Sequence, residues 1–101
     1  MNFEELEYLV IQWAEDNGII AKATALSQLG KTQEELNETV KALVERNHDE
    51  VIDGFGDIVV TLIISANIYG TTLCHCLETA YNVIKSRTGK MIDGVFVKDC
   101  K

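Results

Sequence analysis

An all-α fold, four helices in a bundle followed by a short extended tail, is what three features of this 101-residue sequence predict. No proline interrupts the chain, apolar residues recur at three- and four-residue spacing, and the breaks fall at asparagine or glycine. The length suits a single domain, residues 1–101.

Residues 3–17 read as the first helix, with Asn2 and Glu5 placed as a capping box and Leu6, Leu9, Val10, Trp13 and Ala14 as its apolar face. Asn17-Gly18 stops it, and a linker, Ile19 to Ala23, leads to Thr24 as the next N-cap. The second helix runs to about Asn47, with Leu26, Leu29, Leu36, Val40, Leu43 and Val44 as core candidates. Gly30 weakens it by about 1 kcal/mol relative to alanine. Asn47-His48-Asp49 is a connection short enough to demand an antiparallel neighbour, with His48 solvated in the turn. The third helix, about 49–69, is apolar nearly all round after Asp57, the pattern of a central helix or an oligomer interface. Gly70 closes it. Thr71 or Thr72 caps a fourth helix reaching about Arg87, with Leu73, Leu77, Ala80, Tyr81 and Ile84 inward. Asp93-Gly94, between Met91-Ile92 and Val95-Phe96-Val97, has the form of a two-residue hairpin turn. A small bundle with one helix this apolar is expected to self-associate, as a dimer or tetramer.

Composition narrows the class. Apolar content is 47% and charged content 25%, ordinary for a soluble globular protein. The net charge of −7 argues against nucleic-acid polymers as partners. Asp57 and Asn67 bracket the most apolar stretch, so no uninterrupted run approaches the roughly 20 residues of a membrane span, and no membrane partner is expected. The opening MNFEELEYLV lacks a basic region, so a secretory signal is not expected. Three cysteines, Cys74, Cys76 and Cys100, fit reduced thiols in a cytoplasm better than a disulfide framework.

The acids are not spread evenly. Glu34, Glu35, Glu38, Glu50, Asp53 and Asp57 fall within 24 residues, and without them the net charge would be −1. Five of the nine basic residues, Lys85, Arg87, Lys90, Lys98 and Lys101, lie in the last 17 positions. Glu35 and Glu38 share a helix face, Glu34 pairs with Glu38, and Glu50, Asp53 and Asp57 follow at i, i+3 and i+7 on the next helix. Like charges so stacked repel. Solvated acidic faces are one reading. The other is a hard divalent cation, Mg²⁺ with Mn²⁺ as the alternative, held between antiparallel helices and acting on phosphates. Asp57 leads straight into apolar residues, and Gly54 and Gly56 flank it at a cost in helix stability, which favours the cation.

QEELNE followed by DGFGDIVVTLI resembles the EExxE and ExxD signature of the all-α nucleoside triphosphate pyrophosphohydrolases, the MazG-like group. Trp13 with Asn17-Gly18, the Gly56-Asp57 pair and AYNVIKSRTGKMIDGVFVK are also similar to its short single-domain members, many of them from phages. The resemblance covers nearly the whole chain. It implies Mg²⁺-dependent cleavage of a nucleoside triphosphate between the α and β phosphates, giving a nucleoside monophosphate and pyrophosphate. By position, Glu35, Glu38 and Asp57 match metal ligands, and Glu34 matches an additional ligand or water-orienting base beside Glu38. Asn82, Lys85 and Arg87 match polar and basic positions near the substrate. There is one departure: Gly54 stands where many members have glutamate, leaving Asp53 and Glu50 as the nearby replacements.

Other readings remain beside these. Trp13 is either core or a wall of a nucleotide pocket, since indole stacks on a base, and Tyr81 divides the same way with more weight on core. Arg87 reads equally as a helix-end cation, and Lys90 and Lys98 are within reach of phosphates from the tail. Cys74-His75-Cys76 points to different sides of a helix and has no second pair at zinc-ligand spacing. No glycine-rich loop precedes a basic helix start, and no serine, histidine and acid arrangement is evident. Besides the enzyme, the sequence admits a metal- and nucleotide-binding protein without efficient turnover, and a purely structural helical oligomer.

Overall fold

The computed structural model describes residues 1–99, so the Cys100 thiol and the Lys101 charge lie outside the described residues. The elements in order are α1 (Phe3–Asp16), α2 (Ile19–Lys22), α3 (Ala25–Val44), α4 (His48–Tyr69), α5 (Leu73–Ile84), β1 (Gly89–Ile92) and β2 (Val95–Lys98). Side-chain caps set most of the boundaries. Asn2 accepts from the Glu5 N–H at 2.9 Å and starts α1 with a one-way cap. The reciprocal capping box stands at Thr24 and Ser27 instead, 2.9 Å in each direction, and opens α3. Between them the expected linker is one helical turn, entered through Gly18 at φ +74°.

The α3–α4 connection is Glu45-Arg46-Asn47. Asn47 caps α4 through the Glu50 N–H, so His48 is the first residue of the helix rather than part of the turn. Gly70, at φ +108°, ends α4. Thr72 caps α5, which stops at Ile84 rather than continuing to Arg87. Asp93 and Gly94, both at positive φ, form the two-residue turn that pairs Met91 with Phe96 and Ile92 with Val95.

The helices are held mainly along the antiparallel seam between α3 and α4, and that seam is made of small residues. Ser65 donates to the Ala25 carbonyl at 2.8 Å, the Thr32 and Thr61 hydroxyls meet at 2.7 Å, and Thr39 lies against Gly54. The α3 members recur every seven residues, so one stripe of α3 faces α4 along its length. Each hydroxyl is satisfied: Thr39 donates to the Glu35 carbonyl at 2.7 Å and Thr61 to that of Ile58 at 2.8 Å. Gly54 is required by this approach. A Cβ there would overlap the Thr39 hydroxyl and lie 3.1 Å from Thr39 Cβ.

α1 and α5 form a second layer against α4. Glu7 is buried in it and accepts from the Leu73 N–H at 2.7 Å, placing a carboxylate on the first turn of α5, where the helix dipole favours it.

Most of the expected core is not buried. Ala14, Ala42, Ile63 and Ile64 are the buried hydrophobic residues, whereas Leu26 is 80% exposed, Leu36 51%, and Leu6, Leu9, Leu29, Val40, Leu43, Val44, Leu77, Tyr81 and Ile84 are likewise exposed. The reason is geometric: the seam turns the small residues of α3 toward α4, which leaves its leucines on a face that no other helix covers. Within one chain the helices therefore make an antiparallel pair with a partial second layer. The accessible surface is 7737 Å², against about 5,700 Å² expected for a compact 11.3 kDa chain. The radius of gyration is 15.9 Å, against about 13 Å.

α4, taken whole, is long and apolar enough to cross a membrane by length and composition, which residue runs broken at Asp57 and Asn67 did not suggest. It also carries Asp49, Glu50, Asp53 and Asp57, and buries Thr61 and Ser65 against the rest of the chain.

The tight seam makes a direct prediction. Gly54→Ala is expected to cost about 1–3 kcal/mol through overpacking, despite alanine's better helix propensity. Adding Thr39→Ala to it should recover part of the loss. Urea denaturation of the two variants and the wild type measures both.

Candidate functional site

The α3–α4 seam brings the two acidic faces into one groove of about 560 Å³. Glu35 and Glu38 come from α3, Glu50, Asp53 and Asp57 from α4, and Glu45 from the turn; Lys41 is the cation among them. Antiparallel pairing is what allows this, since acids late in one helix then face acids early in the next. Gly54 also lines the groove, with Thr39 so close against it that a side chain at this position would overlap the Thr39 hydroxyl. Asp53 and Glu50 line the groove one and two turns before Asp57.

Asp57 is the most perturbed of these groups. Burial raises its pKa first, followed by the charges of Asp53 and Glu35 and a hydrogen bond shared with the Asp53 carboxyl, while Lys31 opposes the rise. Asp53 and Glu35 thus stand close enough to disfavour the ionised form of Asp57. Among the described residues, no three His, Cys, Asp or Glu side chains converge tightly enough to cage an ion directly. The groove is a set of facing oxygen walls. That donor chemistry fits a hard cation which retains several of its own waters, and the mutual repulsion at Asp57 is the charge such a cation would neutralise.

A second cavity, of about 500 Å³, adjoins the first. Trp13, Ile19, Val60 and Ile64 make its apolar wall, and Ser27, Gln28 and Lys31 its polar side. Trp13 is 54% exposed, so its indole is a cavity wall and not core. The Asn17 amide donates to the Trp13 carbonyl at 2.8 Å and fixes the end of α1 there. Glu35 and Asp57 line both cavities. Glu34 lies on the tryptophan side and Glu38 on the groove side, so the two candidate bases flank the junction.

The single chain does not bring the basic candidates to this junction. Asn82, Lys85 and Arg87 are exposed at the far end of α5 and just beyond it, and line neither cavity. Lys90 and Lys98 sit on the exposed hairpin. Cys74 and His75 face a separate cavity with Glu4, Glu7 and Glu78; burial and then those three acids push the Cys74 thiol up, which disfavours a thiolate. Cys76 does not join them.

Sequence reasoning passed over Lys31 and Gln28 in the tryptophan cavity and Glu45 in the groove. Lys31 had a legible signal, since it stands three and four residues before Glu34 and Glu35, at ion-pair spacing.

No family model, curated protein or solved structure matches the chain, and the site is read from its own residues.

A raised folded-state pKa means that ionised Asp57 opposes folding at pH values above it, and that the opposition fades as pH falls through it. Asp57→Asn is therefore expected to melt above the wild type at pH 7 in the presence of a chelator. Added Mg²⁺ should raise the melting temperature of the wild type and leave the variant nearly unchanged, as differential scanning fluorimetry would record.

Proposed function

We propose that this chain is a Mg²⁺-dependent nucleoside triphosphate pyrophosphohydrolase of the MazG-like, all-α type, acting in the cytoplasm as a self-associated assembly. The observation that carries the reading is the meeting of an acidic groove and a tryptophan-lined cavity at one pair of carboxylates, Glu35 and Asp57. A nucleoside triphosphate has the matching form: a flat base at one end, a polyanion that travels with divalent cations at the other, and the scissile bond between.

Glu35, Glu38, Asp53 and Asp57 would hold the Mg²⁺, with Glu50 on the adjoining wall. The ion, when bound, supplies neutralisation of phosphate charge and a more acidic water. The remaining work falls to the chain. The Trp13 indole stacks on the base and sets its depth. Glu34 or Glu38, on either side of the junction, accepts a proton from the attacking water. The water oxygen bonds to the α-phosphorus as the bond from phosphorus to the α–β bridging oxygen breaks, and pyrophosphate leaves with the electron pair. Two negative products separate from an acidic site, so cations favour their departure. Asn82, Lys85 and Arg87 suit that role when brought to the groove by a second copy.

Self-association is supported by surface area and by pattern. The chain exposes about 2,000 Å² more than a compact monomer of its mass, so two chains could remove about 4,000 Å², within the range of obligate interfaces. Leu29, Leu36, Val40 and Leu43 of α3, with Ile52, Phe55 and Val59 of α4, are exposed at helical spacing and form the face to be covered. Two such pairs laid face to face make the four-helix bundle that one chain leaves open.

A second reading, a nucleotide-binding protein without turnover, draws on one observation: the packing of Gly54 leaves no room for the missing family carboxylate.

Pyrophosphate release from a panel of ribo- and deoxyribonucleoside triphosphates with Mg²⁺ separates the two. Turnover by the wild type that falls at least about a hundredfold in Glu38→Gln is expected, the loss typical of a general base or a charge-stabilising group. Equal rates would reject the assigned site, and thermal stabilisation by nucleotide without product would favour the second reading. Sedimentation at micromolar concentration should return a dimer or larger species, and Phe55→Asp should shift it toward monomer.

A further inference from the structure

Lys31 lines the Trp13 cavity beside Glu35, one of the two carboxylates that reach both cavities, and the hydrolysis proposed above leaves it unused. Its Nζ lies 3.6 Å from Glu35 Oε1 and 3.9 Å from Glu34 Oε2. The Glu35 side chain is only 13% exposed and that of Lys31 52%, so the ammonium covers an inner carboxylate from the solvent side. Its field also reaches Asp57, whose ionisation it favours. Among the described residues it is the only cation lining the cavity that holds Trp13. The Lys31 end of the pair is solvent-exposed, and an i,i+4 pair contributes little to a helix, so fold stability alone does not account for a lysine beside Glu35.

We propose that Lys31 is a substrate-contacting residue: its ammonium binds the phosphate on the 5′ oxygen of the nucleoside, so that this cavity selects nucleoside 5′-phosphates over nucleosides. The proposal rests on the reading that the Trp13 cavity receives the nucleoside. A ligand with its base against the indole points its first phosphate toward Glu35 and Asp57, which are both anionic. Mg²⁺ would offset part of that charge on the groove side, and on the side that holds Trp13 the cation that can meet the phosphate is Lys31. Lysine offers a compact charge on a four-carbon stem, which can turn from Glu34 and Glu35 to a phosphate oxygen while the backbone of α3 stays fixed. Gln28, on the same side of the cavity, carries an amide for the groups that a nucleoside shares with its phosphate.

Trp13 is the single tryptophan of the chain, so its fluorescence reports on this cavity alone. The experiment titrates the full-length protein, in Mg²⁺ buffer, with each common deoxynucleoside and with its 5′-monophosphate, following Trp13 emission. The wild type is expected to bind at least one monophosphate about tenfold more tightly than the matching nucleoside, the factor of one good charge-assisted contact. In Lys31→Met the nucleoside affinity should stay and the monophosphate advantage should disappear; Lys31→Arg should keep most of it. A monophosphate advantage that survives in Lys31→Met overturns the proposal and leaves the nucleotide reading standing. No change in Trp13 emission with any ligand in the wild type overturns both. Unaltered melting of the two variants would show that the loss is not one of folding.

Discussion

The close antiparallel approach of α3 and α4 is the constraint on which the rest of this molecule depends. Two helices can come this near only where their facing residues are small, and the chain supplies Ala25, Thr32 and Thr39 against Ser65, Thr61 and Gly54. Hydroxyls at such a seam would be a liability if unpaired, yet each finds a carbonyl or another hydroxyl, and no buried side-chain polar atom among the described residues lacks a partner. One choice of contact stripe then settles two others. The acids of both helices turn into a shared groove on one side, and the leucines, valines and Phe55 turn outward on the other. The site and the uncovered apolar face are two products of the same rotation.

That rotation explains why the local structure was readable and the core was not. Caps and turns obey short-range chemistry, so Asn2, Thr24, Gly70 and Asp93-Gly94 could be placed from their neighbours alone, and the cap of α5 to within one residue, Thr71 or Thr72. Core assignment from periodicity assumes that the largest apolar residues face the nearest partner. In α3 the smallest ones do, so Thr39 and Ala42 are buried while Leu36 and Val40 are not. The acidic positions were legible because charge spacing and helix spacing coincide. The cavity around Trp13 was legible only as an alternative, since its walls come from α1, α2, α3 and α4 and no single segment encodes it. Gly54 looked like a missing ligand in the sequence and is a packing requirement in the fold.

The groove also shows how stability and chemistry are divided within a small chain. Among its acids, burial and like charge both oppose the ionised form of Asp57. The seam that holds them together is apolar or fully hydrogen-bonded and lies just behind them, so the strain is confined to side chains facing solvent. A site assembled this way is rigid in its backbone and unsatisfied in its charge. Under the proposed function, those are the properties that would let binding energy be used without first ordering the scaffold.

The buried Glu7 carboxylate has a consequence for how the chain reaches this arrangement. Thr39 and Gly54 close a loop of 15 residues across a three-residue turn, whereas Glu7 and the Leu73 amide are 66 residues apart. Loop-closure entropy adds about 0.6 kcal/mol for each doubling of length, and sequence-local contacts form fastest. The contacts of the α3–α4 hairpin are thus the cheaper ones to close, and the bond that ties α1 to α5 carries the larger entropic cost. Glu7 therefore gains its buried partner only once α5 has formed beside α1.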